Sequence, residues 1–423
     1  MIEQKGSFKD VIVFGFALFA MFFGAGNLIF PPYLGIITGP EWLTAFGGFT
    51  FADAGLALLA VMATAKYDGN VIALFRRAGG KLAIVLGCAD ILCIGPFLAI
   101  PRTGATTYEM GIMPLLGDAI PIAVFAAIFF ILTYILTIKP SKVVDIVGQF
   151  LTPALLIALA ILIVKGVITP LGEIRPDTLV PSVFAEGVNQ GYQTIDTLAA
   201  TVFSTIVIVS IMEKGYDDEK LMVKATIGAG AIAVIGMGLV YGGLCYVGAT
   251  VSTRYGMDVE QTALIVAITE ALLGQTGKIL LAIIVALACL TTSIGLTSAA
   301  GRYFSGLTNG KLKYEHIVVG VCVFSAVISN FGVSTIIKFS APILSIVYPA
   351  TITLIILSLF GHKIKNDNVF KCATYMALLI SVLTIAGVEF IVTLPGYQFG
   401  FNWILPVAAA AIIGNFIPSK KAA

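Results

Sequence analysis

Long apolar runs and short polar connections alternate along the whole chain. A helix needs about 20 apolar residues to cross the roughly 30 Å of hydrocarbon in a bilayer, and runs of this length recur from end to end. The pattern predicts an all-α polytopic membrane protein of about twelve spans that forms one transmembrane domain over residues 1–423. The predicted spans are 11–36, 42–65, 83–108, 118–138, 143–168, 189–212, 223–250, 278–303, 315–330, 337–360, 369–393 and 399–417.

Composition supports a membrane location and disfavours other classes. Hydrophobic residues make up 58% of the chain and charged residues only 11%, whereas soluble domains carry about a quarter charged residues. The net charge is +2 and the basic residues are dispersed, so the lipid bilayer is an expected partner and nucleic acid is not. The six cysteines lie in apolar runs without CxxC spacing, and both histidines lie in polar connections. We therefore expect no enzyme activity.

Charge asymmetry predicts the orientation of the chain. Alternate connections hold 19 Lys and Arg residues on one side and six on the other. Because basic residues are enriched on the cytoplasmic side, both termini are predicted to be cytoplasmic. The segment from Met257 to Leu273 has the polar and apolar alternation of an interfacial helix, which we expect on the outer surface.

Two predicted spans contain helix breakers at membrane depth. Span 1 carries Gly24, Gly26 and Asn27, and span 6 carries Asp196 within a run of hydroxyl residues. A broken helix is tolerated in hydrocarbon only where it faces protein or lines a cavity, although glycines also serve close helix packing. The two breaks correspond if the chain is an inverted repeat, with repeat one about 10–168, repeat two about 188–360 and extra helices about 369–417.

An unwound span suits a zwitterion. Exposed helix N–H groups favour a carboxylate, and freed carbonyl groups favour an ammonium group or a cation. The first break offers backbone at Gly24, Ala25 and Gly26, with no Lys or Arg near in sequence, so we expect helix dipoles to bind the anion. The apolar residues expected to receive an aliphatic side chain are Phe22, Phe23, Phe203 and Ile206.

Span 8 contains many hydroxyl residues between Ala288 and Ser298. Such hydroxyls often bond to the carbonyl one turn earlier in their own helix. Together with carbonyls freed at a helix break, they also form a cage of neutral oxygens that suits a monovalent cation. Both interpretations remain open from the sequence.

Charged residues inside spans are candidates for function because burying a charge in a bilayer is costly. Asp196 lies in the second break and is predicted to orient the backbone, pair with an ammonium group or carry a proton. Arg102 is expected near the outer end of span 3, as a gate or as an anchor that reaches the interface. The other acids predicted at membrane depth are Asp53, Asp90, Asp145 and Glu389.

Three motifs make the chain resemble the BrnQ-type branched-chain amino acid:cation symporter family. They run from Phe22 to Pro32, from Gly95 to Glu109 and from Cys289 to Thr297. The resemblance covers essentially the whole chain. It implies a LeuT-like fold of the amino acid–polyamine–organocation superfamily, with broken helices 1 and 6, in the bacterial cytoplasmic membrane. It also implies uptake of leucine, isoleucine and valine coupled to sodium or protons, with no other cofactor.

The resemblance also implies binding residues. Gly24-Ala25-Gly26-Asn27 and Ala288-Cys289-Leu290-Thr291 are similar to LeuT-like motifs in helices 1 and 8. Asn27 matches a ligand of a second sodium, but span 7 has no Asn to complete that site, so we expect one cation. The implied substrate residues are Phe23, Gly24, Ala25, Gly26, Asn27, Asp196, Thr197, Ala199 and Phe203. The implied sodium ligands are Ala20, Phe23, Ala288, Thr291 and Thr292.

The expected function is import of branched-chain amino acids by alternating access. A transporter of the same fold that carries another small solute remains an alternative, because fold alone does not determine the substrate. A channel or membrane-embedded sensor is a further alternative, but the sequence has no ring of like charges and no repeated filter motif.

Overall fold

The computed structural model describes residues 8–67, 71–138, 152–216 and 218–418. Every regular element in these ranges is a helix, as the apolar pattern predicts. Asp145 and the predicted start of span 5 lie outside the described residues. The α-helices are α1 (Phe8–Phe22), α2 (Ala25–Thr38), α3 (Trp42–Thr50), α4 (Leu56–Ala65), α5 (Val71–Arg76), α6 (Gly80–Leu92), α7 (Ala99–Thr107), α8 (Met113–Leu116), α9 (Ile122–Ile138), α10 (Thr152–Ile168), α11 (Val183–Thr194), α12 (Asp196–Glu213), α13 (Glu219–Ala249), α14 (Gln261–Leu307), α15 (Tyr314–Ser329), α16 (Val333–Leu359), α17 (Asp367–Ile385), α18 (Glu389–Val392) and α19 (Ile404–Phe416).

Short segments of other helix types join several of these helices. Three are π-helical, with backbone hydrogen bonds that span one residue more than those of the neighbouring α-helix. They are Phe51–Gly55 between α3 and α4, Cys93–Phe97 between α6 and α7, and Tyr108–Ile112 between α7 and α8. The 3₁₀ segments are Gly39–Glu41, Gly117–Ala119 and Tyr397–Phe399.

Two broken helices confirm the predicted breaks in spans 1 and 6. Helix α1 ends at Phe22 and α2 begins at Ala25, with Gly24 in an extended conformation between them. Helices α11 and α12 are separated by Ile195, which is left-handed at φ 72°. A β-branched residue adopts this conformation only at a cost of about 1–3 kcal/mol. Ile195 is fully buried, so the surrounding packing holds it there.

Seven helical stretches of the described chain are long and apolar enough to cross a bilayer. Four shorter apolar helices accompany them, at Ile122–Ile138, Leu155–Ile168, Tyr314–Ser329 and Ile404–Phe416. Helix α14 has 47 residues and is interrupted at Gly274. The part before this glycine begins at Gln261, and the part after it is the helix of span 8. The exact number of spans, the limits of the repeats and the interfacial position of the Gln261 segment stay predictions.

Helices α2 and α13 pack backbone against backbone. A Cβ atom added at Gly35 would overlap the carbonyl oxygen of Cys245, and one added at Gly248 would overlap that of Pro32. Small residues allow this close approach between membrane helices. The contact fixes the second half of the first broken helix against α13.

Glu109 joins three segments at the end of the α6–α8 region. Its Oε2 accepts a hydrogen bond from Thr262 Oγ1 at 2.6 Å, and its Oε1 accepts one from the backbone N–H of Val333 at 2.8 Å. The carboxylate therefore caps the N-terminus of α16, where negative charge is favourable, and connects it to the first turn of α14.

Candidate functional site: a cavity between the two broken helices

A cavity lies where the two broken helices meet. Its wall comes from α1 and α2, from both sides of the Ile195 break, from the α6–α7 region and from α14. Most of the substrate residues implied by the sequence line it together, although they come from positions far apart in the chain. These are Gly24, Ala25, Gly26, Asn27, Asp196, Ala199 and Phe203.

Three predicted residues lie elsewhere. The ring of Phe23 stacks on Phe19, with 5.1 Å between ring centroids, and lies outside the cavity wall. Thr197 also lies outside it and donates a hydrogen bond to the Ala52 carbonyl at 3.2 Å. The expectation that Ile206 receives the substrate side chain is wrong, because Ile206 is exposed. The buried face of α12 instead follows a helical spacing through Phe203, Val207 and Ile211.

Arg102 lies in the cavity wall, which corrects two expectations. It is buried, not placed near an outer end, and it supplies the positive side chain that the sequence seemed to lack at the first break. The cause is the interruption at Gly95, after which α7 restarts at Ala99 and places Arg102 in the middle of the Gly80–Leu116 stretch. Gly95-Pro96 is a helix-breaking pair, and it is the signal in the sequence from which this interruption could have been predicted.

The guanidinium of Arg102 caps the C-terminus of α11. One nitrogen donates to the Gln193 carbonyl at 2.6 Å and another to the Thr194 carbonyl at 3.2 Å. A positive charge is favourable at a helix C-terminus, where carbonyl groups lack helical partners. A Cβ atom at Gly26 would lie 3.1 Å from this guanidinium, so glycine at that position leaves room for Arg102.

Asn27 connects the two breaks. Its Nδ2 donates to Asp196 Oδ2 at 2.6 Å and to the Tyr241 hydroxyl at 2.5 Å, while its Oδ1 accepts from the Gly24 backbone N–H at 2.9 Å. All four residues are buried. The amide thus fixes the start of α2 against the start of α12 and against α13.

Asp53 extends this cluster behind the cavity wall. It is fully buried in the π-segment after α3, and its Oδ1 accepts a hydrogen bond from Thr194 Oγ1 at 2.8 Å. The same Thr194 hydroxyl accepts a hydrogen bond from the backbone N–H of Asp196 at 3.4 Å, so Thr194 connects the two acids. The sequence identified Asp53 only as a buried acid. Its pairing with Asp196 depends on contacts between distant segments, which one sequence does not reveal.

The other predicted acids have different surroundings. Asp90 is buried outside the cavity wall, and its Oδ1 accepts a hydrogen bond from Thr351 at 3.1 Å. Glu389 is exposed at the start of the short helix α18, so the expectation of a buried acid there is wrong. Helix α17 ends at Ile385, before the predicted end of span 11, which leaves Glu389 beyond it.

The predicted sodium ligands meet only in part. Thr292 lines the cavity, and its buried hydroxyl has no hydrogen-bond partner in the part of the chain that is described. A Cβ atom at Gly24 would lie 3.4 Å from that hydroxyl, so Thr292 faces the first break. The hydroxyl of Thr291 bonds to the carbonyls of Ala288 and Leu287 in its own helix. Ala20 lies in the last turn of α1 and Phe23 directly follows that helix, and neither lines the cavity.

The sequence matches the profile of the family described as "Branched-chain amino acid transport protein" over residues 7–421. The chain belongs to this family. Among its relatives is the branched-chain amino acid permease BraB of Bacillus subtilis, which is 38% identical over 98% of this chain and 97% of its own length. The branched-chain amino acid permease BrnQ of Escherichia coli K12 is 33% identical over 96% of this chain and 94% of its own.

Solved structures show the same fold. Mhp1, a nucleobase-cation-symport-1 family transporter, superposes in a closed conformation with a TM-score of 0.63, covering 96% of this chain and 92% of Mhp1 at 15% identity. Its inward-facing conformation gives the same TM-score at 14% identity, covering 96% of this chain and 89% of Mhp1. The family member described here is therefore a multi-pass transport protein with a LeuT-like fold and is not an enzyme, as the sequence predicts.

Proposed function

We propose that the chain is a secondary active symporter that imports leucine, isoleucine and valine across the bacterial cytoplasmic membrane, coupled to sodium or protons. The observation that carries the proposal is the cavity between the broken helices. It combines a positive group, a negative group and an apolar wall within one cavity. The names of the relatives BraB and BrnQ support the same class of substrate.

A zwitterionic amino acid fits the charges of this cavity. Its carboxylate would lie against Arg102 and the first N–H groups of α2, which lack helical acceptors. Its ammonium group would lie against Asp196, on the other side of the Asn27 amide. The two ends of the substrate would then be recognised by opposite charges, which fixes its orientation.

The apolar part of the wall suits a branched aliphatic side chain. Ile94, Phe203 and Leu296 line the cavity from three different helices. None of them offers a hydrogen-bonding side chain, so a polar substrate side chain would lose its hydration without compensation. We therefore assign this region to the isobutyl, sec-butyl and isopropyl groups of the three substrates.

The coupled sodium ion is assigned to the junction of the first break and α14. The unpartnered hydroxyl of Thr292 supports this assignment, because a buried polar atom without a partner is unfavourable unless a ligand satisfies it. The carbonyls of Ala20, Phe23 and Ala288 and the hydroxyl of Thr291 are the other proposed ligands. For coupling, the ion must bind the outward-facing and inward-facing states with different affinity.

Both termini are proposed to be cytoplasmic, as the charge asymmetry predicts.

Uptake of labelled leucine into proteoliposomes tests the proposal. The purified protein is reconstituted and given an inward sodium gradient, an inward proton gradient, or neither. We expect accumulation above equilibrium under one of the gradients, and competition by isoleucine and valine. Absence of leucine uptake under every gradient would refute the substrate assignment, whereas equal uptake with and without gradients would refute symport.

A further inference from the structure

Asp196 in the cavity wall has a second buried acid, Asp53, behind it, and among the described residues Arg102 is the one positive side chain that lines the same cavity. Asp53 and Asp196 are each almost completely buried. They come from the π-segment after α3 and from the first residue of α12. Thr194 links them, because its hydroxyl donates to Asp53 Oδ1 at 2.8 Å and accepts from the backbone N–H of Asp196 at 3.4 Å. No ion pair between described residues includes either aspartate.

The hydrogen bonds around the pair come from neutral groups. Asp196 accepts from the amide of Asn27, and Asp53 accepts from the hydroxyl of Thr194. The nearest positive group, Arg102, directs its hydrogen bonds to the backbone carbonyls of Gln193 and Thr194. If both acids were ionised, the buried cluster would hold two negative charges against one positive charge, which is strongly unfavourable.

The second oxygen of Asp53 indicates where a compensating proton would be. Asp53 Oδ2 is buried and has no hydrogen-bond partner among the described residues. A proton on this oxygen would let Asp53 donate a hydrogen bond to Asp196 and would leave Asp196 ionised. The Asn27 amide fills the space between Asp196 and Tyr241, with contacts of 2.6 and 2.5 Å, so those two groups are joined by the amide itself.

We propose that Asp53 and Asp196 bind one proton between them, held on Asp53, and that substrate binding requires this proton. The proposal rests on the proposed function and extends it. With the proton in place, Asp196 faces the ammonium group as a carboxylate and Arg102 faces the substrate carboxylate, so the charges of Asp53, Asp196, Arg102 and the substrate sum to zero. Without it, the same site carries an uncompensated negative charge.

The other titratable groups that face the pair are few. They come from the helices packed around it and keep one charge state near neutral pH: the guanidinium is positive, and the phenol groups are neutral. A change in leucine affinity with pH between about 5 and 9 would therefore arise from the carboxyl pair. Among the described residues these groups are Arg102 from α7, Tyr241 from α13 and Tyr348 from α16, and Tyr192 from α11 packs against the ring of Tyr348.

Leucine affinity measured against pH at constant sodium concentration tests the proposal. For the unaltered protein we expect affinity to fall by about tenfold per pH unit above a midpoint, as linkage to one proton requires. In Asp53→Asn the neutral amide can still donate to Asp196, so we expect binding that does not change with pH. Asp90→Asn is the matched control, because Asp90 is also a buried acid with a single threonine donor, but lies outside the cavity wall.

The decrease in leucine affinity with rising pH should persist in Asp90→Asn. A pH-independent affinity in the unaltered protein, or an unchanged slope in Asp53→Asn, would overturn the proposal. Infrared spectroscopy provides a second measurement that needs no substrate, since a protonated carboxyl group has its own C=O stretching band. That band should disappear in Asp53→Asn and shift in Asp53→Glu, which retains an acid if the asparagine variant does not fold.

If no protonated carboxyl band of the unaltered protein changes in Asp53→Asn or in Asp53→Glu, the proposal is also overturned. Failure of the unaltered protein to bind leucine at any pH would instead refute the proposed substrate, and the infrared result would still decide whether the pair holds a proton. The two proposals can therefore fail separately.

Discussion

Replacing Arg102 by lysine tests whether the arginine binds the substrate through its geometry or only through its charge. The guanidinium holds the carbonyls of Gln193 and Thr194 with two separate nitrogens. A lysine keeps the positive charge but concentrates it in one ammonium group, which does not reproduce the planar arrangement of donors. Arg102→Lys is therefore expected to lose one of the two bonds to the end of α11 and to misplace the charge that faces the cavity.

The expected loss follows from the bonds that are broken. A hydrogen bond to a charged group contributes about 1.5–3 kcal/mol, and a buried carbonyl left without a partner is destabilising by a similar amount. Loss of one such bond in the binding-competent state corresponds to a decrease in leucine affinity of roughly 10-fold to 150-fold. Arg102→Gln removes the charge as well and should weaken binding further.

Equilibrium binding of labelled leucine at saturating sodium measures this effect, with a thermal unfolding measurement on each variant. Arg77 provides a matched control, because its guanidinium also bonds to two backbone carbonyls, those of Gly361 and Ile364, and pairs with Asp367 away from the cavity. Arg77→Lys should lower thermal stability without changing leucine affinity. Unchanged leucine affinity in Arg102→Lys, or an equal loss of affinity in Arg77→Lys, would refute the role assigned to Arg102.

Three further changes test other parts of the structure. Thr292→Ala should raise the sodium concentration for half-maximal uptake by roughly tenfold while leucine affinity at saturating sodium changes little; an equal loss in both measurements would exclude Thr292 as an ion ligand. Gly35→Ala should destabilise the protein by about 1–3 kcal/mol or more, because its Cβ would overlap the backbone of α13, whereas Gly47→Ala meets no atom within 4 Å and should be neutral in thermal unfolding. Glu109→Gln leaves one oxygen acceptor for two donors, so hydrogen exchange should become faster at the starts of α14 and α16, and unchanged exchange would contradict the capping role.

The sequence predicted the fold and the two breaks because both depend on local patterns. Apolar runs define the helices, and Gly24 and Asp196 are conspicuous in otherwise apolar spans. It did not predict that Arg102 lies in the cavity, since that position depends on how far Gly95 displaces the helix that follows. It also did not pair Asp53 with Asp196, which are 143 positions apart and meet only after α3, α11 and α13 have packed together. Charge partners of this kind are determined by tertiary contacts, not by neighbouring residues.

The π-segment at Phe51–Gly55 makes the number of residues between α3 and α4 critical. Each residue of an α-helix turns the following residues by about 100° around the axis. One residue more than an α-helical turn requires is therefore enough to change which face of α4 points to the protein interior. Deleting one residue in this segment would restore a regular helix but rotate Asp53 and the helix that follows relative to each other. Only the present residue count directs the Asp53 carboxyl group inward and also keeps the apolar face of α4 packed against the protein interior.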